Sequence, residues 1–290
     1  MKLALPLHEI TQKDRPRIGG KGFALAAMQK SGMHVPVAIC ISTEAYDEYV
    51  SSTGLRDQMH MEIYRKPFEE MRWEEIWDTA LRIRNMFTKT PLPSRLRKEL
   101  KQALPSRFLS QPVSVRSSAP GEDSSKTSFA GLHESFVNIR GLESILEHIR
   151  LVWASLWSDR ALLYRQELGL DVEKSTMAVV VQEMIFGDRS GVVFGMSPVH
   201  EKQSAVEAVY GLNQGLVDGT VEPDRWILDR KSGHILSHRP ARREKILSAG
   251  PEGVRLENLQ GTLRRRAPLR DREVKEVYDL AMKAESLFGS

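Results

Sequence analysis

Two periodicities alternate along this chain, and together they predict a mixed α/β (α+β) fold. Polar and apolar residues alternate at 113–116 and 135–139, while apolar residues run together at 35–41 and 177–181, the patterns of half-buried and fully buried strands. Between them lie segments with apolar residues at helical spacing, most clearly 142–168. With 290 residues, 41% hydrophobic and 28% charged, the chain fits one large globular domain or two smaller ones.

Composition narrows the function classes. No apolar run approaches the roughly 18 to 20 residues that a membrane span needs. The N-terminus MKLALPLHEI meets Pro6, His8 and Glu9 before a secretory apolar core is complete, so no signal peptide and no membrane partner are expected. The single Cys40 has no cysteine to pair with and sits in the apolar run at 35–41, which reads as a buried thiol in a reducing, cytoplasmic setting. The net charge of +4 is a modest excess. Arginines gather at Arg239, Arg242 and Arg243 and again at 264–266, but no aromatic residues interleave with them. A solvated face or a partner-domain contact is expected there, and no nucleic acid. The histidines show no metal-ligand spacing, and His234 and His238 read as surface residues of a hairpin.

Taken in order, Gly19-Gly20-Lys21-Gly22 leads into 23–30, whose Leu25, Ala26, Ala27 and Met28 predict a helix closing at Gly32. A glycine-rich turn at a helix start lets backbone amides and the positive end of the helix dipole face a phosphate, and Lys21 adds a mobile charge. The pattern lacks the second glycine-lysine pair and the hydroxyl of a P-loop, and many tight turns share it. Residues 35–41 predict a buried strand, with Ser42 or Thr43 capping the helix that follows. Trp73, Ile76, Trp77, Ala80, Leu81 and 83–87 predict a helix packed under the sheet, and Pro91, Pro93 and Pro105 bracket another over 94–103.

Val113 and Val115 then alternate with Ser114 and Arg116, placing Arg116 on the polar face of a strand. Small and polar residues from Ser117 to Ser128 predict a mobile loop, Ala130 and Gly131 allow a close approach, and 135–139 resumes a strand. An arginine delivered by a strand into hydroxyls and loop amides matches a phosphate; the same arginine is equally served by a surface carboxylate. Residues 142–168 predict one long core helix, with Asp159, Arg160, Tyr164 and Arg165 as a surface salt-bridge cluster.

Residues 177–181 predict a central strand. Its exit at Gln182, Glu183, Met184 and Ile185 leaves backbone groups unpaired beside apolar side chains, which suits a purine edge or is a plain strand end. A turn at 187–191 leads into 192–194 as a hairpin-like partner. A strand at 205–209 carries Glu207, costly inside an apolar strand unless paired, metal-bound or on a polar face. A glycine-bounded turn at 211–215, a hairpin from 226–229 and 234–237, and a helix over 270–288 complete the chain.

Six blocks, GGKG with its helix, VPVAICISTEAY, VSVRSSAPGEDSSKTSFAGLHESFVNIRG, LVWASLWSDRALLYR, VVVQEMIFGDRSGVVFGMSP and VEAVYGLNQGLVDGTVEPDRW, resemble in order and spacing the nucleotide-binding domain of the pyruvate phosphate dikinase and phosphoenolpyruvate synthase family, which rifampicin phosphotransferases share. The resemblance implies an ATP-grasp-like fold with ATP between an N-terminal lobe over 1–175 and a C-terminal lobe over 176–290. It implies Lys21 and Arg116 on the phosphates as the residues of the chemistry, Gly131, Ser135 and Phe136 at the nucleotide, and an adenine hinge of Gln182, Glu183 and Ile185. Glu207 and Gln214 complete the expected cofactor-binding set, although Gln214 stands where the family often has a glutamate. The resemblance also implies Mg²⁺ with the ATP and transfer to a histidine on a swivelling phosphohistidine domain that this chain does not contain, so that the domain is inactive by itself. Family members continue past the position of Ser290 into Pro-Gln-Asp-x-Glu-Trp and Gln-x-Arg-Pro blocks that carry metal and phosphate ligands, and no metal ligand is assigned here. A stand-alone nucleotide sensor or partner subunit is the alternative.

Overall fold

Strands drawn from both ends of the first 184 residues assemble into one sheet, as the computed structural model shows; it describes every residue except 1, 121–122, 125–126, 129–131, 251–252 and 290. The elements in order are β1 (Ala4–Pro6), α1 (Arg15–Lys30), β2 (Ala38–Ile41), α2 (Thr43–Ser52), α3 (Leu55–Ile63), α4 (Trp73–Lys89), α5 (Ser94–Ala103), β3 (Val113–Ser118), β4 (Asp123–Ser124), β5 (Thr127–Ser128), β6 (Ser135–Ile139), α6 (Leu142–Ser155), α7 (Asp159–Glu167) and β7 (Ala178–Glu183). The sheet order is β1-β2-β7-β3-β6, and every neighbouring pair is antiparallel. This unit is Met1–Met184 and the second is Ile185–Ser290.

Strand alternation divides the first sheet into two faces. Ile39, Ile41, Val113, Val115, Val179 and Val181 join the large core, where Tyr46, Tyr49, Phe87 and Trp153 stack at centroid distances of 5.3–6.2 Å. The polar ends of buried aromatics are satisfied: Trp153 Nε1 donates to the Met177 carbonyl at 3.1 Å, and Trp157 Nε1 to the Tyr46 hydroxyl at 2.9 Å. On the other face Ala38, Cys40 and Val180 meet Ile18 and Ala26 of α1. Cys40 is fully buried and its thiol is pushed up to about 12 by that burial, as expected of an inert core residue.

Local signals and element ends agree well. Gly32 at φ 78° closes α1 with the Met33 amide bonded to the Met28 carbonyl, α5 spans the proline-bracketed segment, and β6 begins and ends as expected. Other expectations fail for identifiable reasons. The single helix over 142–168 is two, because Ser158 caps α7 by accepting from the Ala161 amide. Helix α4 lies on α3, α6 and α7 rather than under the sheet, and Trp73 and Trp77 are exposed. The β7 strand, assigned by sequence to the C-terminal lobe and to a hairpin with the next strand, is instead hydrogen-bonded between β2 and β3 in the first unit. The expected 117–128 loop partly lies outside the described residues; Ser117 and Ser118 extend β3, and β4 pairs with β5.

The second unit contains β8 (Arg189–Phe194), β9 (Gln203–Tyr210), α8 (Gln214–Val217), β10 (Asp224–Asp229), β11 (Ile235–Arg239), β12 (Lys245–Gly250), β13 (Gly253–Asn258) and α9 (Asp271–Phe288). β8 to β11 form an antiparallel sheet in sequence order, with α9 packed through Val274 and Tyr278 on Val206, Ala208, Trp226 and Leu228. The β12–β13 hairpin joins this unit through the Leu212 amide bonded to the Leu247 carbonyl. Among the described residues no helix is long and apolar enough to cross a membrane.

Candidate functional site

Arg116 follows Val115 on β3, so it points to the face opposite the large core, the face on which α1 packs. Ladder register aligns it with Val180 of β7 and Ser135 of β6. Ser114 and Gln182 face each other one step along the same face, where the Ser114 hydroxyl donates to the Gln182 carbonyl at 3.4 Å and Gln182 Nε2 donates to the Pro36 carbonyl at 3.3 Å. One strip of sheet surface therefore carries Ser114, Arg116, Ser135 and Gln182.

The helix packed on that face carries Lys21. The α1 helix is interrupted at Gly19, with φ 72° and ψ 174°, a conformation favoured by glycine. A Cβ at position 19 would lie 2.0 Å from the Ser118 carbonyl oxygen, and one at position 22 would lie 2.8 Å from Cys40 Sγ. Both glycines thus permit close packing of the helix start on β2 and on the end of β3. The Ser118 hydroxyl accepts from the Gly22 amide at 3.0 Å and donates to the Ile18 carbonyl at 2.7 Å. The sequence expected the turn amides to be open to a phosphate; the Gly22 amide is bonded to Ser118 instead.

A third cation lies nearby. Arg165, expected on the surface, is 4% exposed, and its guanidinium donates to the Leu156 and Ala161 carbonyls at 2.9 and 3.0 Å. Burial holds it below the usual arginine value, at about 10. His133 borders a cavity of about 330 Å³ with Arg165, Lys174 and Thr176. Burial first, then the charges of Arg165 and Lys21, push its imidazole down to about 4. It is neutral at pH 7, in a positive environment.

Other expected site residues part company. Phe136 is one residue beyond Ser135 and turns to the opposite face, aligned with Val115 and edge-on to His148 at 4.8 Å. Gly131 lies outside the described residues. The Glu183 carboxylate reaches Arg107 at 3.7 Å. The strand exit is not a run of unpaired backbone: the Glu183 amide bonds to the Val37 carbonyl and the Met184 amide to the Pro112 carbonyl.

Ile185, Glu207 and Gln214 belong to the second unit. Ile185 is 60% exposed and Gln214 is exposed at the start of α8. Glu207 is aligned with Arg225 on β10 and accepts from its Nε at 2.6 Å, so the strand acid has a cation directly across the ladder. A concavity of this unit, about 1320 Å³ and bordered by Arg189, Tyr210, Leu247 and Arg266, is lined by none of the expected site residues.

Sequence reasoning missed Ser118 as a structural link and missed a buried cluster on β10 and β11. Asp224, 1% exposed, accepts from Arg243 Nε at 2.7 Å and lies 2.8 Å from Nε2 of His238, which stacks on Trp226 at 4.4 Å. His238 is exposed on its hairpin, as the sequence expected, and from there it pairs with the buried Asp224. Its alternation on β11 opposite Trp226 was the available signal.

Comparison with known proteins places these features in context. Residues 15–290 match the family described as pyruvate phosphate dikinase, AMP/ATP-binding domain. Phosphoenolpyruvate synthase of Aeropyrum pernix is 35% identical over 320 residues, covering 99% of this chain and 39% of that protein. The probable phosphoenolpyruvate synthase of Methanocaldococcus jannaschii is 29% identical, covering all of this chain and 25% of its own length. Rifampicin phosphotransferase of Bacillus subtilis is 29% identical, covering 99% of this chain and 33% of that protein. The chain thus spans a quarter to two fifths of the length of these relatives.

Proposed function

Because the chain belongs to the pyruvate phosphate dikinase AMP/ATP-binding domain family, we propose that it binds ATP in an ATP-grasp-like manner, with Lys21 and Arg116 receiving the phosphates. The observation that carries the reading is that Arg116, on β3, and Lys21, on a helix locked to the end of β3 by Ser118, are drawn to the same face of one sheet. Arginine offers a planar fork to phosphate oxygens and lysine a mobile ammonium, so the pair is suited to a polyphosphate. Ser135 beside Arg116 adds a hydroxyl to that face. Gln182, Glu183 and Ile185 form the adenine hinge through the strand exit. Phe136, turned to the other face, supports the core. A cytoplasmic setting supplies the ATP.

In the whole protein a phosphoryl group passes from ATP to a histidine on a swivelling domain, and the final acceptor is pyruvate, an antibiotic or another small molecule. Phosphoryl transfer needs little covalent help from the protein: neutralisation and in-line positioning carry most of the effect. Lys21 and Arg116 supply the neutralisation. Mg²⁺, when bound with ATP, supplies charge neutralisation and orientation. Among the described residues no group of three His, Cys, Asp or Glu is arranged to hold a metal, so these residues do not form a cage for that ion.

The test is calorimetric titration of ATP into wild type and Arg116→Ala, with circular dichroism to confirm folding. Charge-assisted hydrogen bonds contribute about 1.5–3 kcal/mol, so the variant should bind roughly 10- to 100-fold more weakly. Unchanged affinity would remove Arg116 from the site.

A further inference from the structure

The Ser118 hydroxyl occupies an unusual position. In an uninterrupted helix the Gly22 amide would bond to the Ile18 carbonyl, four residues back. Here the Ser118 hydroxyl bonds to both groups, accepting from Gly22 at 3.0 Å and donating to Ile18 at 2.7 Å. This bridge coincides with the kink at Gly19, whose φ of 72° and ψ of 174° are not helical. Insertion of a side chain into the helical ladder is a recognised cause of such a kink. Residues 19–21 are the bridged turn, and Lys21 is carried on it.

From this we infer that Ser118 is a positioning residue for ATP: by bridging Ile18 and Gly22 it sets the turn that aims Lys21 at the phosphates held by Arg116, two residues earlier on the same strand face. The inference rests on the ATP reading given above. Three features make it specific. Ser118 is fully buried, so its hydroxyl is fixed by the bridge rather than by water. A hydroxyl can donate and accept at once, which the two backbone partners require. The close approach needs glycine at both flanking contacts, since a Cβ at position 19 would collide with the Ser118 backbone and one at 22 with Cys40. Sequence order hides the link, because Ser118 lies 96 residues from Gly22 and 100 from Ile18.

The experiment measures ATP and adenosine affinities by calorimetry for wild type, Ser118→Ala, Lys21→Ala and the double variant, with circular dichroism and thermal melting as folding controls. The expected result is that Ser118→Ala weakens ATP at least tenfold, leaves adenosine within twofold, and adds less than twofold to the loss already caused by Lys21→Ala. The phosphate dependence and the non-additivity are readouts that a merely structural role would not produce. Ser118→Cys, which keeps the size and weakens both hydrogen bonds, should fall between wild type and alanine and serves if the alanine variant does not fold. An ATP affinity unchanged in both variants, equal losses for ATP and adenosine, or fully additive losses with Lys21→Ala each overturn the inference while leaving the ATP reading intact. Wild type that binds no ATP overturns the ATP reading itself and this inference with it.

Discussion

Arg116 in β3 and Glu207 in β9 are charged residues inside strands of two different sheets, and their surroundings differ in kind. Arg116 has Val180 and Ser135 across the ladder, and the structure brings a second cation, Lys21, to its face by way of two glycines and a buried serine. Glu207 has Arg225 directly across the ladder, and the neighbouring Asp224 is held by Arg243 and His238. In the second sheet acids and cations are matched within the fold, where their worth is structural. In the first, one cation stands on a sheet face and another on the helix that packs over that face, an arrangement that suits an anion. An acid matched across its own ladder and cations carried by special backbone to one face thus point to different purposes.

The comparison is broken most directly at Asp224. If the acids of the second sheet are structural, Asp224→Ala leaves the half-buried Arg243 without its carboxylate and should cost about 2–4 kcal/mol, toward the loss typical when one partner of a buried pair is removed. Urea denaturation followed at Trp226, the tryptophan stacked on His238, reports it. A cost below about 1 kcal/mol would mean that the cluster is not what holds the second sheet.

A second test concerns the positive character of the first unit. Folded His133 titrates at about 4 against the usual 6.5, because burial and the charges of Arg165 and Lys21 oppose its protonation. The unfolded chain takes up this proton near pH 6.5 and the folded chain only near pH 4. Its contribution is therefore complete above about pH 6.5 and is lost as pH falls toward 4. The loss amounts to about 3–4 kcal/mol, since each tenfold difference in proton affinity between the folded and unfolded chains is worth about 1.4 kcal/mol. His133→Gln should flatten the stability profile between pH 7 and 4.5 in denaturant melts of the first unit. An unchanged slope would sharpen the comparison differently, removing His133 from the positive environment.

Much of this contrast was legible in the sequence, and its limits have physical causes. Period-two alternation put Arg116 on a polar face, and proline brackets and Gly32 gave the ends of α5 and α1. Glu207 read as costly unless paired, metal-bound or on a polar face; that it is paired, with Arg225 18 residues away, was not legible. Pairing between distant strands was the main loss. β7 inserts between β2 and β3, so the neighbouring β8 is not its partner, and that choice is set by the core and not by the intervening turn. Face assignment failed for Phe136 because a motif read as a block ignores that adjacent strand residues point opposite ways. Arg165 read as a surface residue because its carbonyl partners, supplied by the break between α6 and α7, are invisible in a continuous helical pattern.

The smallest expected effect falls on Glu207, and it discriminates most finely between the two sheets. Its partner Arg225 is half exposed, so the pair is a partly solvated ion pair whose loss typically costs under about 1 kcal/mol. If Glu207 serves only its ladder, Glu207→Gln should lower the denaturation midpoint slightly and leave ATP affinity within twofold, because glutamine retains an acceptor for Arg225 at similar size. A Glu207 that acts on the nucleotide instead predicts a different pattern: ATP affinity changing several-fold while stability hardly moves. Measuring both on one variant separates the roles, since the first ties the residue to Arg225 and the second ties it to the ligand. The companion Arg225→Gln sharpens the result, because a purely structural pair loses little more in the double variant than in either single one.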